Sequence, residues 1–501
     1  MISASFFNFL LNRKWVIELN KRRVGKRHKS RGLWAVALGM LAIAGLCACV
    51  TAQENTTDYW MDKAEGLTHN GSFEEAISAL DEALNIEPEN ETVLIRKAWY
   101  LSVVGMANES AKEYERALSF LDEDLKKNAS DAEAWEKKAS ALSSLNRIEE
   151  SIKTYEKALD VFDQRIERNQ LDADAWMGRA NVLLNLGRWD EAHEAYDEVT
   201  ELKPQDYNVW WRKAEVISGI GDINESVEAY DRAIGLIPAN DTDELALAFA
   251  SKSEDLASVD RWEDALEAVN KSLELNPRSS TWWHFKAFIL TELDRKEEAL
   301  AAFNEAIGQN PEDIGNWQWK ASLLVEMKRY NESLEAYDKA IELAAENNTE
   351  ELAQTWFSKA SALNKTGRME EATDAFQRSL KLYDEAIAEN PGDVSLLESK
   401  GRVLFNLERY DEAIAIYDHI LETAPSVEPR LTQITTWIAR GDALRALGRN
   451  EEALEEYNNA IDLSPNFSTA WHGLGEAQRA LGQTHNASMS LLVARKLGYE
   501  E

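Results

Sequence analysis

Seven histidines, two cysteines and 89 acidic residues are the groups through which this 501-residue chain could do acid–base, nucleophilic or metal chemistry. The histidines (His28, His69, His193, His284, His419, His472, His485) form no HExxH and no other metal-ligand spacing. Both cysteines, Cys47 and Cys49, lie in one apolar stretch; from residue 53 onward there is no thiol for a disulfide or a thiolate metal site. No GxxxxGK[ST], GxGxxG or GxSxG sequence occurs. Acid pairs such as Glu74-Glu75, Glu149-Glu150 and Glu451-Glu452 recur at one place, where each opens a helical pattern. Carboxylates there favour a helix N-terminus and sit in solvent, so they are no catalytic dyad. The chain therefore reads as a non-enzyme, with no metal and no cofactor expected.

The elements that carry these residues show best between Ala173 and Asp206. Trp176, Ala180 and Leu183 share one helical face, and Ala192, Tyr196 and Val199 share another. Gly187 closes the first helix and Pro204 marks the end of the second. The same template recurs with starts at Thr57, Glu91, Ala132, Ala173, Tyr207, Ala246, Ser280, Ile314, Ala353, Val394, Ile434 and Ser468. Nine of these twelve units have Trp at the fourth position, and the others have Leu94, Phe249 or Leu397. The eighth position is Ala, Gly or Ser throughout, and the twentieth is Ala or Ser, so two helix backbones can approach closely.

This pattern resembles the tetratricopeptide repeat, a 34-residue helix–turn–helix unit, over residues 57–501. The resemblance implies an all-α, right-handed superhelical solenoid of about twelve repeats, preceded by an N-terminal signal or membrane-anchor helix. Enzymes built with such repeats carry a separate catalytic domain, and these repeats leave no room for one. Three start-to-start spacings exceed 34 residues by seven, which is two helical turns, and the added residues (Phe120–Asn128, Phe162–Asn169, Tyr383–Asn390) predict lengthened second helices. Additions of five or six residues near Pro238, Glu346 and Pro425 predict longer loops. The fourth-position tryptophans are expected in the core. Leu492 and Leu497 add apolar surface at the terminal helix, which reads either as a modestly exposed helix or as a contact surface for a partner or a second copy of the chain.

The resemblance also implies a protein-binding groove on the concave side, lined by positions 2, 5, 9, 12 and 13 of each first helix. The residues there that point to recognition are Ile95, Trp99, Met177, Asn181, Trp211, His284, Phe288, Phe357, Phe405 and Ile438. The family's chaperone-tail clamp puts Lys at the fifth position and Asn at the ninth, and no unit has that pair. The net charge of −34 disfavours nucleic acid and favours neutral or basic protein or peptide partners.

Residues 1–52 differ sharply, with nine Lys or Arg and one acid, Glu18. Residues 1–32 read as a basic targeting arm and 33–52 as a signal peptide or transmembrane anchor, because the basic run Lys21–Arg31 directly precedes the uncharged stretch Leu33–Val50. Leu46-Cys47-Ala48-Cys49 resembles a lipobox, which makes Cys49 a lipidation candidate, and translation starting near Val24 is a further expectation. Thirteen Asn-x-Ser/Thr sequons occur. Asn108, Asn224 and Asn331 share the helix–helix turn, each two residues before a serine at position twenty. The expectation is an exported, membrane-tethered, N-glycosylated scaffold with its repeats on the extracytoplasmic side. The alternatives are a self-associating surface component and a cytoplasmic adaptor.

Overall fold

Two kinds of helix start alternate along the chain. Asn90, Asp131, Asp172 and Asp313 precede first helices, and each side chain accepts a hydrogen bond from the main-chain N–H three residues on, at 2.9–3.3 Å. Arginine precedes most second helices instead. Arg147, Arg295, Arg409 and Arg449 donate through Nε and Nη2 to the carboxylate three residues on, at 2.5–2.8 Å. Most of the recurring acid pairs thus have a structural partner: the arginine before the helix holds the second acid, as Arg147 holds Glu150 and Arg449 holds Glu452, whereas Glu74-Glu75 follows Ser72.

The computed structural model describes residues 56–68, 72–344, 349–423 and 430–499. Among them are 24 helices and no strand. The basic arm, the apolar stretch, Cys49, His69 and the sequons at Asn55, Asn70 and Asn347 lie outside the described residues. No helix among the described residues is long and apolar enough to cross a membrane.

The chain divides into two compact units. The first, ending at Pro204, holds the helix pairs α1 Thr57–Thr68 and α2 Phe73–Ile86, α3 Glu91–Val103 and α4 Ala107–Lys127, α5 Ala132–Ser144 and α6 Ile148–Arg168, and α7 Ala173–Asn185 and α8 Trp189–Leu202. The second begins at Gln205 with α9 Tyr207–Ile220 and α10 Ile223–Leu236, α11 Thr242–Ser258 and α12 Trp262–Leu275, α13 Ser280–Glu292 and α14 Lys296–Gln309, and α15 Ile314–Glu326 and α16 Tyr330–Leu343. It continues with α17 Thr349–Lys365 and α18 Met369–Glu389, α19 Val394–Asn406 and α20 Tyr410–Thr423, α21 Arg430–Ala446 and α22 Asn450–Leu463, and α23 Ser468–Ala480 and α24 Thr484–Lys496. Odd helices are first helices and even ones second helices.

The second helices α4, α6 and α18 run to 21 residues, where most others have 14. The shorter additions do not simply lengthen loops. The first helices α11, α17 and α21 begin at Thr242, Thr349 and Arg430, four residues ahead of the template starts at Ala246, Ala353 and Ile434. Thr242-Asp243-Glu244 and Thr349-Glu350-Glu351 contain no breaker and place acids at a helix N-terminus, so they add a turn.

Within each pair, position twenty packs against position eight. Where position twenty is serine, the buried hydroxyl donates to a main-chain carbonyl of the first helix: Ser110 to Ala98 at 2.7 Å, Ser151 to Ala139 at 2.8 Å, Ser226 to Ala214 at 3.0 Å and Ser333 to Ala321 at 2.8 Å. Ser253 reverses the arrangement and donates from position eight to Ala265 at 2.7 Å. Glycine at position eight makes room for a ring: a Cβ on Gly441 would lie 2.9 Å from Tyr457, and one on Gly473 of the next unit would collide with the same ring.

Successive pairs meet along a seam that the template did not foretell. The fourth-position tryptophans are half-buried rather than fully enclosed. Trp135, Trp176, Trp283, Trp317 and Trp471 donate through Nε1 to the carbonyl six residues earlier at 2.8–3.0 Å, which pins the turn between repeats. Three residues after most of these tryptophans stands a lysine or arginine whose charge lies over the ring, as with Lys138 at 5.3 Å from Trp135 and Lys320 at 5.1 Å from Trp317. In most junctions it also pairs with an aspartate of the preceding second helix: Lys97–Asp81 at 2.7 Å, Lys138–Asp122 at 2.5 Å, Arg179–Asp163 at 2.8 Å, Lys400–Asp384 at 2.7 Å and Arg440–Asp418 at 2.7 Å. At the corresponding register, sixteen residues before Lys286 and Lys320, the sequence has Asn270 and Asn304. Burial then pushes both lysine pKa values down.

Candidate functional site

The expected groove residues do not share one fate. Ile95 is absorbed into the packed core around Leu94, Leu118 and Leu121, and Ile438 into that around Tyr457 and Leu474. Asn181 is committed to its own repeat, accepting a hydrogen bond from the Tyr196 hydroxyl at 2.9 Å. Phe357 lies 5.6 Å from Phe376, and the Arg402 guanidinium covers its ring at 4.8 Å. Phe405 abuts Tyr410 at 5.3 Å. Met177 is half-buried. Trp211 donates through Nε1 to Glu215 at 3.1 Å, and its ring stands 6.3 Å from Tyr230. Trp99 is 52% exposed, with one edge against Tyr100.

The structure brings His284 and Phe288 of α13 together with residues the template passed over. The Phe288 ring lies 5.9 Å from Trp262, 6.3 Å from Phe285 and 6.2 Å from Trp319. His284 stands 5.9 Å from Trp319 and 5.5 Å from Phe303. Trp319, on α15, is 49% exposed. Consecutive first helices thus present a continuous aromatic ledge. A buried relay fixes His284 at its edge: Nδ1 donates to Asn316 Oδ1 at 2.7 Å, Asn316 Nδ2 to Ser280 Oγ at 3.1 Å, and Ser280 Oγ to the Ala306 carbonyl at 2.9 Å. Trp319 occupies the sixth position, which shares a helical stripe with the second, ninth and thirteenth. Reading the stripe, rather than fixed positions, would have found it.

Carboxylates give the first-helix face its field. Burial lifts the Glu136 pKa to about 7, Glu133 adds to the rise and Lys137 opposes it. Partial burial and the neighbouring Asp255 charge raise Glu254. The seam clefts are chemically closed by contrast. In the one lined by Asp338, Trp356, Lys359, Arg368 and Glu371, Lys359 pairs with Asp338 and Arg368 with Glu371.

The Asn108, Asn224 and Asn331 side chains are exposed. They lie second in their helices, after Ala107, Ile223 and Tyr330, so they are not the capping residues. The serines two positions later are accounted for by the buried hydrogen bonds to the first helix, whether or not the asparagines carry sugar. On the terminal helix Met489, Leu492 and Leu497 are exposed, and the Tyr499 ring stacks on His472 at 4.0 Å.

Models of one tetratricopeptide repeat family match residues 130–205 and 313–385, and those of a second match 178–241, 252–314 and 376–428. A third family model, described as a TPR repeat, matches 441–482. The chain is a tetratricopeptide repeat protein. Among curated proteins it is similar to a TPR repeat-containing thioredoxin, TTL4, of Arabidopsis thaliana, at 29% identity over 102 residues, and to ER membrane protein complex subunit 2-B of Xenopus laevis, at 34% over 86 residues. These matches take in 20% and 17% of this chain but only 14% and 27% of the relatives. Among solved structures, a tetratricopeptide repeat protein from Parabacteroides merdae aligns at 19% identity with a TM-score of 0.42, covering 54% of this chain and 98% of that one. Yeast Tom70 aligns at 14% identity with a TM-score of 0.39, covering 89% and 92%.

Proposed function

We propose that this repeat protein is a non-catalytic scaffold that holds extended peptide segments of partner proteins along its first helices. Tetratricopeptide folds commonly bind proteins or peptides. The observation that carries the reading for this chain is the ledge of Phe288 and Trp319. Trp319 stands half-exposed on it, whereas the seam rings are covered by cations and fastened to backbone. Exposed aromatics grouped on a rigid helical face supply contact area at small conformational cost. The test is a selection of random dodecapeptides against the full chain, with affinities then read by fluorescence anisotropy. Trp319→Ala should weaken binding about tenfold or more while leaving the thermal melt in place. Unchanged binding would remove the ledge from the site.

The second part of the reading is placement: an exported chain tethered by residues 33–52, with Cys49 as a lipid-bearing residue and sugars on Asn108, Asn224 and Asn331. Its support is the order of the basic run and the apolar stretch, together with the exposure of the three asparagines. Intact mass and N-terminal sequencing of protein from fractionated cells test it. A lipidated Cys49 or a start at Gln53, with excess mass from sugar, is expected. An unprocessed chain in the soluble fraction would make it a cytoplasmic adaptor.

A further inference from the structure

Next to the aromatic ledge, the first-helix face turns acidic. Glu215 and Glu254 hold the ninth position in the two repeats before Phe288, and both are exposed. Between their helices lies Asp255, which is 9% exposed and stands where neighbouring repeats have Val216, Ile289 and Leu323. Its partners among the described residues are neutral: the Ser218 hydroxyl donates to Oδ1 at 2.7 Å, and the oxygen of Ser226, whose proton goes to the Ala214 carbonyl, lies beside Oδ2. No cation among the described residues pairs with Asp255 or with Glu254. The Tyr230 hydroxyl registers the convergence: burial raises its pKa, and the charges of Asp255, Glu215 and Glu254 push it further. Arg212, the cation beside Glu215, is bound to it at 2.9 Å.

Resting on the peptide-binding reading above, we propose that the bound segment carries a lysine or arginine that lies against Glu254 and Glu215, beside a bulky apolar residue taken by Phe288 and Trp319. The chemistry is complementary on two counts. The exposed carboxylates supply a counter-charge that the fold itself does not satisfy at Glu254. They share the ninth position of consecutive repeats with Phe288, so a basic residue and an apolar one in the same segment can meet both. Acidic segments are repelled by the same field, in keeping with a chain of net charge −34.

The experiment uses the full chain and the dodecapeptides selected on it, each remade with its Lys or Arg changed to Gln. Selected sequences should place a basic residue within a few positions of an aromatic or large aliphatic one. Glu254→Gln should weaken the basic peptides about tenfold and flatten their salt dependence, while the Gln-substituted peptides bind the variant and the parent alike. Because Glu254 is exposed, the variant should melt with the parent. Selected peptides without basic residues, or a Glu254→Gln variant that binds as the parent does, would overturn the proposal. Trp319→Ala separates the two levels: if it weakens every peptide while Glu254→Gln weakens none, the ledge stands and the basic partner falls.

Discussion

Glu136 and Lys138 lie two residues apart on α5 and face different worlds. Lys138 reaches the seam, where Asp122 holds it at 2.5 Å and the Trp135 ring lies under it. Glu136, at the fifth position, meets no cation strong enough to keep it ionised, and burial lifts its pKa to about 7. The same contrast runs through α15, where Trp317 is fastened to the Pro311 carbonyl and covered by Lys320, while Trp319 stands beside the His284 and Phe288 rings and is half-exposed. The seam completes its own interactions and the first-helix face leaves some open. Stability is concentrated in the first, and recognition is available to the second.

The sharpest way to break this contrast is to exchange the two tryptophans' roles. Trp317→Ala should cost about 3 kcal/mol, read as an earlier first transition in chemical denaturation, because it empties the seam and frees the pinned turn. Trp319→Ala should stay within about 0.5 kcal/mol of the parent. Equal losses would erase the distinction. Glu136 gives a second, smaller measure. The folded chain holds its proton up to about pH 7, against an ordinary 4.5, so stability should fall as pH rises between those values. The slope, on the order of 2 kcal/mol across the window, should vanish in Glu136→Gln. The smallest effect belongs to the seam pair Lys359–Asp338, whose aspartate is largely exposed. Asp338→Asn copies the arrangement at Asn270 and Asn304, and should cost no more than about 1 kcal/mol by denaturant titration.

Most of the fold was legible because its determinants are periodic. Trp176, Ala180, Tyr196 and their counterparts repeat at fixed offsets, and the seven-residue additions kept the helical phase visible. The extra turns beginning at Thr242, Thr349 and Arg430 were obscured by nearby Pro238, Asn347 and Pro425, which read as loop although the residues after them are free to coil. The site was legible only in part, since a groove position is open or filled according to the next repeat. Phe357 looks like Phe288 in sequence, yet Arg402 covers it from the following first helix. Ile95 looks like a groove residue, yet the side chains about it close into core. Nothing in a single-repeat template encodes those neighbours. Serine at position twenty is a similar case, for Ser110, Ser226 and Ser333 answer to a carbonyl on another helix.

The seam also bears on how such a chain can grow. Asp122, Asp163 and Asp384 sit on the lengthened second helices α4, α6 and α18, yet each still meets the cation sixteen residues downstream, as Asp81 does on the short helix α2. Seven residues return a helix to within about 20° of its starting phase, so an insertion of that size moves no contact to the wrong side. A change of two or five residues would turn the aspartate to the other side of the helix, away from its lysine. Whole heptads are therefore the increment by which this architecture accepts new length, and a designer could insert one into α10 or α16 and expect the following junction to close unaltered.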